Sequence, residues 1–213
     1  MAIVVYTCIV NNYDTPIMQP KFDGVDYIIY SDSPKFYENY CDKSLPLKRN
    51  DLDYTRINRY HKIMYHKLEE LQKYKYSIYL DGNIKIINDV RNIEFKDFMI
   101  YRHPHRNCVY EEAQTCIKFR KDDKEIINKQ MERYTQEGMP KNYGLNCGGI
   151  LFRKYDKNII KIMEKWWREV ENGSKRDQLS LMYILWKLNF TILMDLFGNT
   201  FNYFSFKKKF KHK

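Results

Sequence analysis

Tyr76-Ser77-Ile78-Tyr79-Leu80-Asp81-Gly82-Asn83-Ile84-Lys85-Ile86 is the stretch on which the reading of this chain turns. Five residues of strand character run into an Asp-x-Asn triplet, and a second apolar run follows at once. Two outcomes compete for the triplet. Asp-Gly between alternating apolar runs is a strong signal for a two-residue β-hairpin, and on the triplet alone that is the commoner result. An acid and an amide two residues apart at the end of a strand can instead set two oxygens on one divalent cation. The flanking sequence decides between them.

Upstream, residues 3–10 read as a buried strand ending in the polar loop Asn11-Asn12-Tyr13-Asp14, and residues 25–30 as a second strand ending at Ser31-Asp32-Ser33-Pro34. Between them and the triplet, Ile57, Met64, Leu68 and Leu71 fall at helical spacing and predict a helix over 55–71. Downstream, 84–87 and 98–101 read as short strands. Residues 109–134 read as helical, broken near Lys121-Asp122-Asp123 and stopped by Gly138-Met139-Pro140. A strand over 145–152 is interrupted by Gly148-Gly149, and a helix over 158–170 ends at Asn172-Gly173. Ser174 is expected to cap a further helix to about residue 188, with Asp177 at its third position, and 191–196 to add a last strand. Strands alternating with helices predict an α/β fold, in which ligands sit at the carboxyl ends of the strands. The polar clusters at 11–14, 31–33 and 81–83 all lie there.

The bulk of the chain is compatible with that class. Its 213 residues suffice for one well-buried α/β domain, 1–213, with a basic tail over 204–213. With 44% hydrophobic residues and only 8 Gly and 6 Pro, the composition excludes a disordered chain. A net charge of +10 suits an anionic ligand such as a nucleotide sugar. The five cysteines are widely spaced and include no Cys-x-x-Cys pair, so free thiols are expected rather than a zinc site or a disulfide framework. The N-terminal run is too short for a signal segment, and no run approaches a membrane span, so a soluble, cytoplasmic protein is expected.

Several constellations could carry chemistry. Arg56, Arg59 and Lys62 recur at intervals of three, a basic stripe near a helix start that would suit a phosphate, although a solvated helix face is the commoner use. Lys175-Arg176-Asp177-Gln178 sets a carboxylate and an amide side by side after a glycine loop, where sugar contacts compete with helix capping by Asp177. Tyr101-Arg102-His103-Pro104-His105-Arg106 is a dense cationic turn before Glu111-Glu112, which are acid–base candidates or surface ion-pair partners. Gly144-Leu145-Asn146-Cys147-Gly148-Gly149 would allow close approach of a ligand to the backbone. Trp166-Trp167 belong more naturally to the core than to a sugar platform. The tail from Phe204 to Lys213 interleaves aromatic and basic residues that could touch RNA, an acidic membrane or the diphosphate, with a frayed, solvated end as the commoner outcome.

Taken in order, Tyr6 to Asp14, Asp26 to Asp32, Arg59-x-x-Lys62, Ser77-Ile-Tyr-Leu-Asp-Gly-Asn83, His103-Pro-His-Arg106, Tyr110-Glu-Glu-Ala113, Gly144-Leu145, Trp166-Trp167 and Arg176-Asp-Gln-Leu-Ser180 resemble the glycosyltransferase-like family of plants, bacteria and large viruses, over residues 3–190. The small glycosyltransferase domain of chlorella viruses is similar. The resemblance implies a GT-A fold: a single α/β domain whose mixed, mostly parallel central sheet is flanked by helices. It implies transfer of a hexose or deoxyhexose from a UDP-sugar to an acceptor hydroxyl on a glycan or glycoprotein, with Mn²⁺ or Mg²⁺ and no nucleic acid. Asp81 and Asn83 then take the metal, with His212 as a third ligand. Tyr6, Thr7, Asp32, Arg59 and Lys62 fall on the nucleotide, and Asp177, Gln178 and Gly148 on the donor sugar. Asp177 is the first choice for a base, with Glu112 in reserve, and alanine at Asp177 is expected to lower turnover about 10²- to 10⁴-fold with folding intact. The triplet departs from the family pattern by ending in Asn rather than Asp, which puts metal dependence in doubt more than the fold. Two other functions stand against this one. A basic, aromatic nucleic-acid-binding module has no recognisable binding motif to support it. A metal-dependent nucleotidyltransferase lacks a glycine-rich phosphate loop.

Overall fold

Ile3–Ile9 (β1) is a run of β-branched and aromatic residues buried on both sides, which is what a central strand covered on two faces requires. The computed structural model describes residues 2–15, 17–190 and 200–206. β1 pairs in parallel with Val25–Ser31 (β2) and Tyr76–Leu80 (β4), and β2 with Lys43–Pro46 (β3). The remaining long strands are Phe98–Arg102 (β6) and Asn146–Lys154 (β7), and β7 runs antiparallel to both β4 and β6. The sheet order is β3-β2-β1-β4-β7-β6, a mixed and mostly parallel sheet of the α/β GT-A-like type.

The larger core lies on one face, beneath Tyr54–Ile63 (α2), Val109–Lys118 (α3), Lys124–Gln136 (α4), Lys157–Asn172 (α5) and Leu181–Lys187 (α6). The short helix Pro34–Tyr37 (α1) packs near β2 and β3. The opposite face is closed by a two-stranded sheet of Ile84–Ile86 (β5) and Phe204–Phe206 (β8). Trp166 and Trp167 are both buried in the larger core, and all five cysteines are free thiols. Among the described residues no helix is long and apolar enough to cross a membrane.

The hairpin reading of the triplet fails, because β4 is a central strand with both edges taken by β1 and β7. The chain must leave the sheet after Leu80, and β5 pairs with β8 instead. Gln19 braces β5 by accepting from Ile86 N (2.9 Å) and donating to Ile84 O (2.9 Å). The same pairing corrects the expectation for the tail, since Phe204–Phe206 is a strand with Phe204 buried.

The helix expected over 55–71 ends at Ile63 and continues as two 3-10 turns. Carbonyls at its end are taken by side chains from the sheet: the Tyr6 hydroxyl donates to His61 O (3.1 Å), and the fully buried Arg153 donates to Lys62 O. Arg153 pairs with no carboxylate among the described residues; its charge rests on helix-end carbonyls and on the Tyr65 ring, 4.4 Å away. Ser174 does not start a helix either. Its hydroxyl donates to Asp122 (2.7 Å), Asp177 opens a single 3-10 turn, and α6 begins at Leu181. β3 was not anticipated, because a four-residue edge strand with Lys, Ser and Pro lacks an apolar run. The strand expected over 191–196 lies outside the described residues.

Candidate active site

β1 and β4 end, and β7 begins, at the same edge of the sheet, where a cleft of about 600 Å³ opens. Three backbone features hold the Asp81-Gly82-Asn83 turn in its floor. Asp81 N donates to Gly149 O (2.8 Å), Ile84 N donates to Asp81 O (3.0 Å), and Gly82 lies against Asp14 of the β1 loop. A Cβ on Gly82 would stand 2.8 Å from the Asp14 Cβ, so the glycine is required by the close approach of that loop. The half-buried Asp81 carboxylate borders the cleft and makes no hydrogen bond among the described residues. Asn83 lines the cleft beside it.

The second centre of the cleft is Asp177, 1% exposed. Its Oδ1 is 3.0 Å from Arg59 Nε, its Oδ2 pairs with Lys62 Nζ, and the Trp166 indole donates to its backbone carbonyl (3.0 Å). Burial alone would raise the Asp177 carboxyl, but Arg59, Lys62 and Arg176 override it and hold the group well below the usual carboxylate range. Burial pulls the Lys62 ammonium below its ordinary value, with Asp177 opposing the shift. Gly148 is the lid on this ion pair: a Cβ there would collide with Lys62 Nζ and come within 3.0 Å of Asp177 Oδ2. A carboxylate held so firmly anionic is a poor proton acceptor near neutral pH and a good electrostatic anchor.

A family model described as TOD1/MUCI70, glycosyltransferase-like domain matches residues 48–212, more than half of the chain. This chain belongs to the TOD1/MUCI70 glycosyltransferase-like family. No curated protein matches it. The matched span begins after β3 and includes α2, the triplet, Gly148 and the Asp177-Gln178 pair. Membership makes this a glycosyltransferase-like domain, with a sugar donor and an acceptor as its implied partners.

Within that family assignment, the structure brings together Arg59, Lys62, Asp81, Asn83, Gly148, Asp177 and Gln178 in one cleft. Five other residues singled out in the sequence, Tyr6, Thr7, Asp32, Glu112 and Arg56, stand apart from the cleft lining. Tyr6 is buried in the larger core, its hydroxyl bonded to Arg153 and to α2 carbonyls. Burial raises that hydroxyl to about 12, with Arg153 opposing. Thr7 borders a cavity of about 30 Å³ with Tyr27, and neither hydroxyl has a hydrogen-bond partner among the described residues. Asp32 accepts from Asn11 N (2.6 Å) and so holds the β1 loop whose residues Asn11 and Asn12 have φ near +50°. Glu112 is buried in an ion pair with Arg106, 2.6 Å away. His212 lies outside the described residues. Arg56, expected in the same stripe as Arg59, turns away and caps α5, donating to Val170 O (3.1 Å) and Gly173 O (2.7 Å).

The cleft also gathers residues that sequence reasoning passed over. Tyr54 and Tyr13, 61% and 57% exposed, stand at its mouth, and Arg120 and Lys121 of the α3–α4 turn form part of its rim. The signal for Tyr13 was the polar cluster at 11–14; for Arg120 and Lys121 it was only a helix break. As to a metal, no group of three or more His, Cys, Asp or Glu residues is found among the described residues. The oxygen donors of the triplet are the Asp81 carboxylate and the Asn83 amide, and the Asp14 carboxylate lines the same cleft. That set fits Mg²⁺ or Mn²⁺, which accept few protein oxygens and complete their shell with phosphate oxygens and water.

Proposed function

We propose that the chain transfers a hexose or deoxyhexose from a UDP-sugar to an acceptor hydroxyl on a glycan or glycoprotein, with Mn²⁺ or Mg²⁺ held by Asp81 and Asn83. The observation that carries this reading is the convergence of the triplet, Gly148 and the Arg59–Lys62–Asp177 group in one cleft at the carboxyl ends of β1 and β4. A bound divalent ion would supply Lewis-acid neutralisation of a departing diphosphate. The chain's own residues do the rest. Arg59 and Lys62 bring two cations against the Asp177 carboxylate, so with Asp81 engaged by the divalent ion they would favour a bound phosphate. Asp177 fixes both cations in place, and Gln178, donating to Asn146 O (2.9 Å), stands beside it in the cleft for contact with the sugar. In this reading Asp177 orients and balances charge, and the acceptor proton goes elsewhere than to its carboxylate.

The test is thermal unfolding with UDP, GDP, CMP and ATP, each with and without Mn²⁺. The expected result is a shift with UDP plus Mn²⁺ that is lost in Asp81→Ala. At a hundredfold excess over Kd such a ligand adds about 2.7 kcal/mol, or roughly 5–10 °C for a chain of this size. No response to any nucleotide, with salt-sensitive stabilisation by RNA or DNA, overturns the transferase in favour of a nucleic-acid-binding module. A response to several nucleoside triphosphates with release of pyrophosphate points instead to nucleotidyl transfer.

A further inference from the structure

Three helices of this chain end in the same hydrogen-bonded motif, and one of them ends on an unexpected residue. After α4, Gly138 N donates to Thr135 O and Met139 N to Tyr134 O; after α6, Asn189 N donates to Trp186 O and Phe190 N to Leu185 O. After α3 the pattern repeats, with Arg120 N to Ile117 O (3.0 Å) and Lys121 N to Cys116 O (2.9 Å). The residue in the left-handed position is Gly138 (φ +87°), Asn189 (φ +49°) and Arg120 (φ +50°) respectively. Glycine and asparagine are the residue types that tolerate this conformation, whereas an arginine there carries a steric cost.

The unfavourable arginine is the one at the cleft. Arg120 and Lys121 line its rim together with Arg176, and none of the three forms an ion pair with a carboxylate among the described residues. Arg176 Nε is buried without a hydrogen-bond partner among the described residues, and Nη2 is 3.4 Å from Gln178 Oε1. The turn is not a loose appendage. Asp122, next in sequence, accepts from Ser174 Oγ (2.7 Å) and Lys175 N (2.8 Å), clamping the basic turn to the loop that carries Arg176 and Asp177.

We propose that Arg120, Lys121 and Arg176 form an anion-binding rim that selects an acidic acceptor glycan, one bearing a carboxylate or a phosphate ester next to the reacting hydroxyl. The proposal rests on the transferase reading of the cleft. The rim is built from the α3–α4 turn and the loop before Asp177, segments other than the one that carries the triplet, and Arg120 and Lys121 are exposed. Guanidinium groups match carboxylate and phosphate oxygens in a bidentate manner, and Lys121 adds a point charge beside them.

The experiment measures calorimetric binding of hexuronate oligomers, neutral hexose oligomers of equal length and phosphorylated hexose oligomers, with and without saturating UDP and Mn²⁺. The acidic oligomers should bind the wild-type chain more tightly than the neutral ones, with an advantage that shrinks as ionic strength rises. Whichever acidic series binds tighter identifies carboxylate or phosphate as the recognised group. Arg120→Gly combined with Lys121→Gln should weaken acidic binding by about fivefold to twentyfold and leave UDP affinity unchanged. Arg120→Gly alone should raise Tm by roughly 2–4 °C, because the left-handed position then carries its preferred residue. That combination of higher Tm with weaker acidic binding separates a ligand role from a structural one. Equal binding of acidic and neutral oligomers overturns the proposal. A loss of UDP affinity as large as the loss of acidic binding also overturns it, by assigning the rim to the diphosphate. If UDP fails to bind but the variants still lose the acidic oligomer, the rim stands and the transferase reading falls.

Discussion

Asp177 acquires its role from partners 115 and 118 residues away, and the consequences are measurable at that single position. Removing its carboxylate takes from the buried Lys62 and Arg59 their ion-pair partner, so Asp177→Ala should destabilise the chain by about 3–5 kcal/mol in urea denaturation. The sequence-based expectation of a turnover loss with folding intact is therefore revised, and any activity loss in that variant has to be read beside its stability. A cost below about 1 kcal/mol would mean the pairs behave like exposed ones and sink this account. Gly148→Ala tests the same cluster from the backbone side: its methyl meets Lys62 and Asp177, and overpacking there should cost about 1–3 kcal/mol. The contrast is Gly138, where a Cβ meets nothing within 4 Å and only the positive φ opposes substitution. Close approach governs one glycine and backbone conformation the other.

Among the elements, α2 does the most to organise the site. Asp53 caps its start by accepting from Thr55 N and Arg56 N, and Tyr6 and Arg153 occupy its last carbonyls. One turn inside, His61 donates through Nδ1 to Ile57 O (2.8 Å) and accepts from Lys48 N through Nε2 (3.0 Å), an arrangement possible only for the neutral ring. Burial lowers His61 to about 4, against about 6.5 for an unfolded histidine. The folded state thus binds fewer protons, so this contribution is complete above about pH 6.5 and is lost as pH falls toward 4, by up to roughly 3 kcal/mol. His66, also lowered to about 4 by burial, acts in the same window and direction. Urea midpoints at pH 7, 5.5 and 4.5 check this, and a His61→Gln variant should flatten part of the slope; a midpoint that stays level across the window contradicts it. For β5, Gln19→Ala should cost about 1–2 kcal/mol and speed amide exchange at Ile86, since two backbone groups lose their partner.

At the scale of the whole molecule, the cleft is assembled from β1, β4, β7, α2 and the 174–178 loop, so a ligand filling it bridges the sheet and the larger core. Such a ligand opposes global rather than local unfolding. Chelation of the divalent ion should therefore abolish the entire UDP-dependent rise in Tm, not a fraction of it, as read by the unfolding midpoint with and without EDTA. A UDP shift that survives chelation would mean that Arg59 and Lys62 hold the nucleotide without a metal, a result consistent with the Asn at the end of the triplet.

How much of this was legible in the chain follows from the range of the interactions involved. Strands such as Ile3–Ile9 and Tyr76–Leu80 and the helix Lys157–Asn172 are written in local apolar periodicity, and polar clusters after strands mark the edge where ligands collect. Asp81, Asn83, Arg59, Lys62, Asp177 and Gln178 could be singled out on those grounds and on resemblance. What the amino-acid order by itself could not decide was which groups meet. The hairpin at Asp81-Gly82 was excluded only by β7 occupying the free edge of β4, a pairing of segments about 70 residues apart. The end of α2 was settled by Arg153 reaching across the core, and the state of Asp177 by two cations from α2. Local conformation depends on neighbours in sequence and was readable; burial, charge compensation and close backbone approach depend on neighbours in space, and only the tertiary structure supplied those.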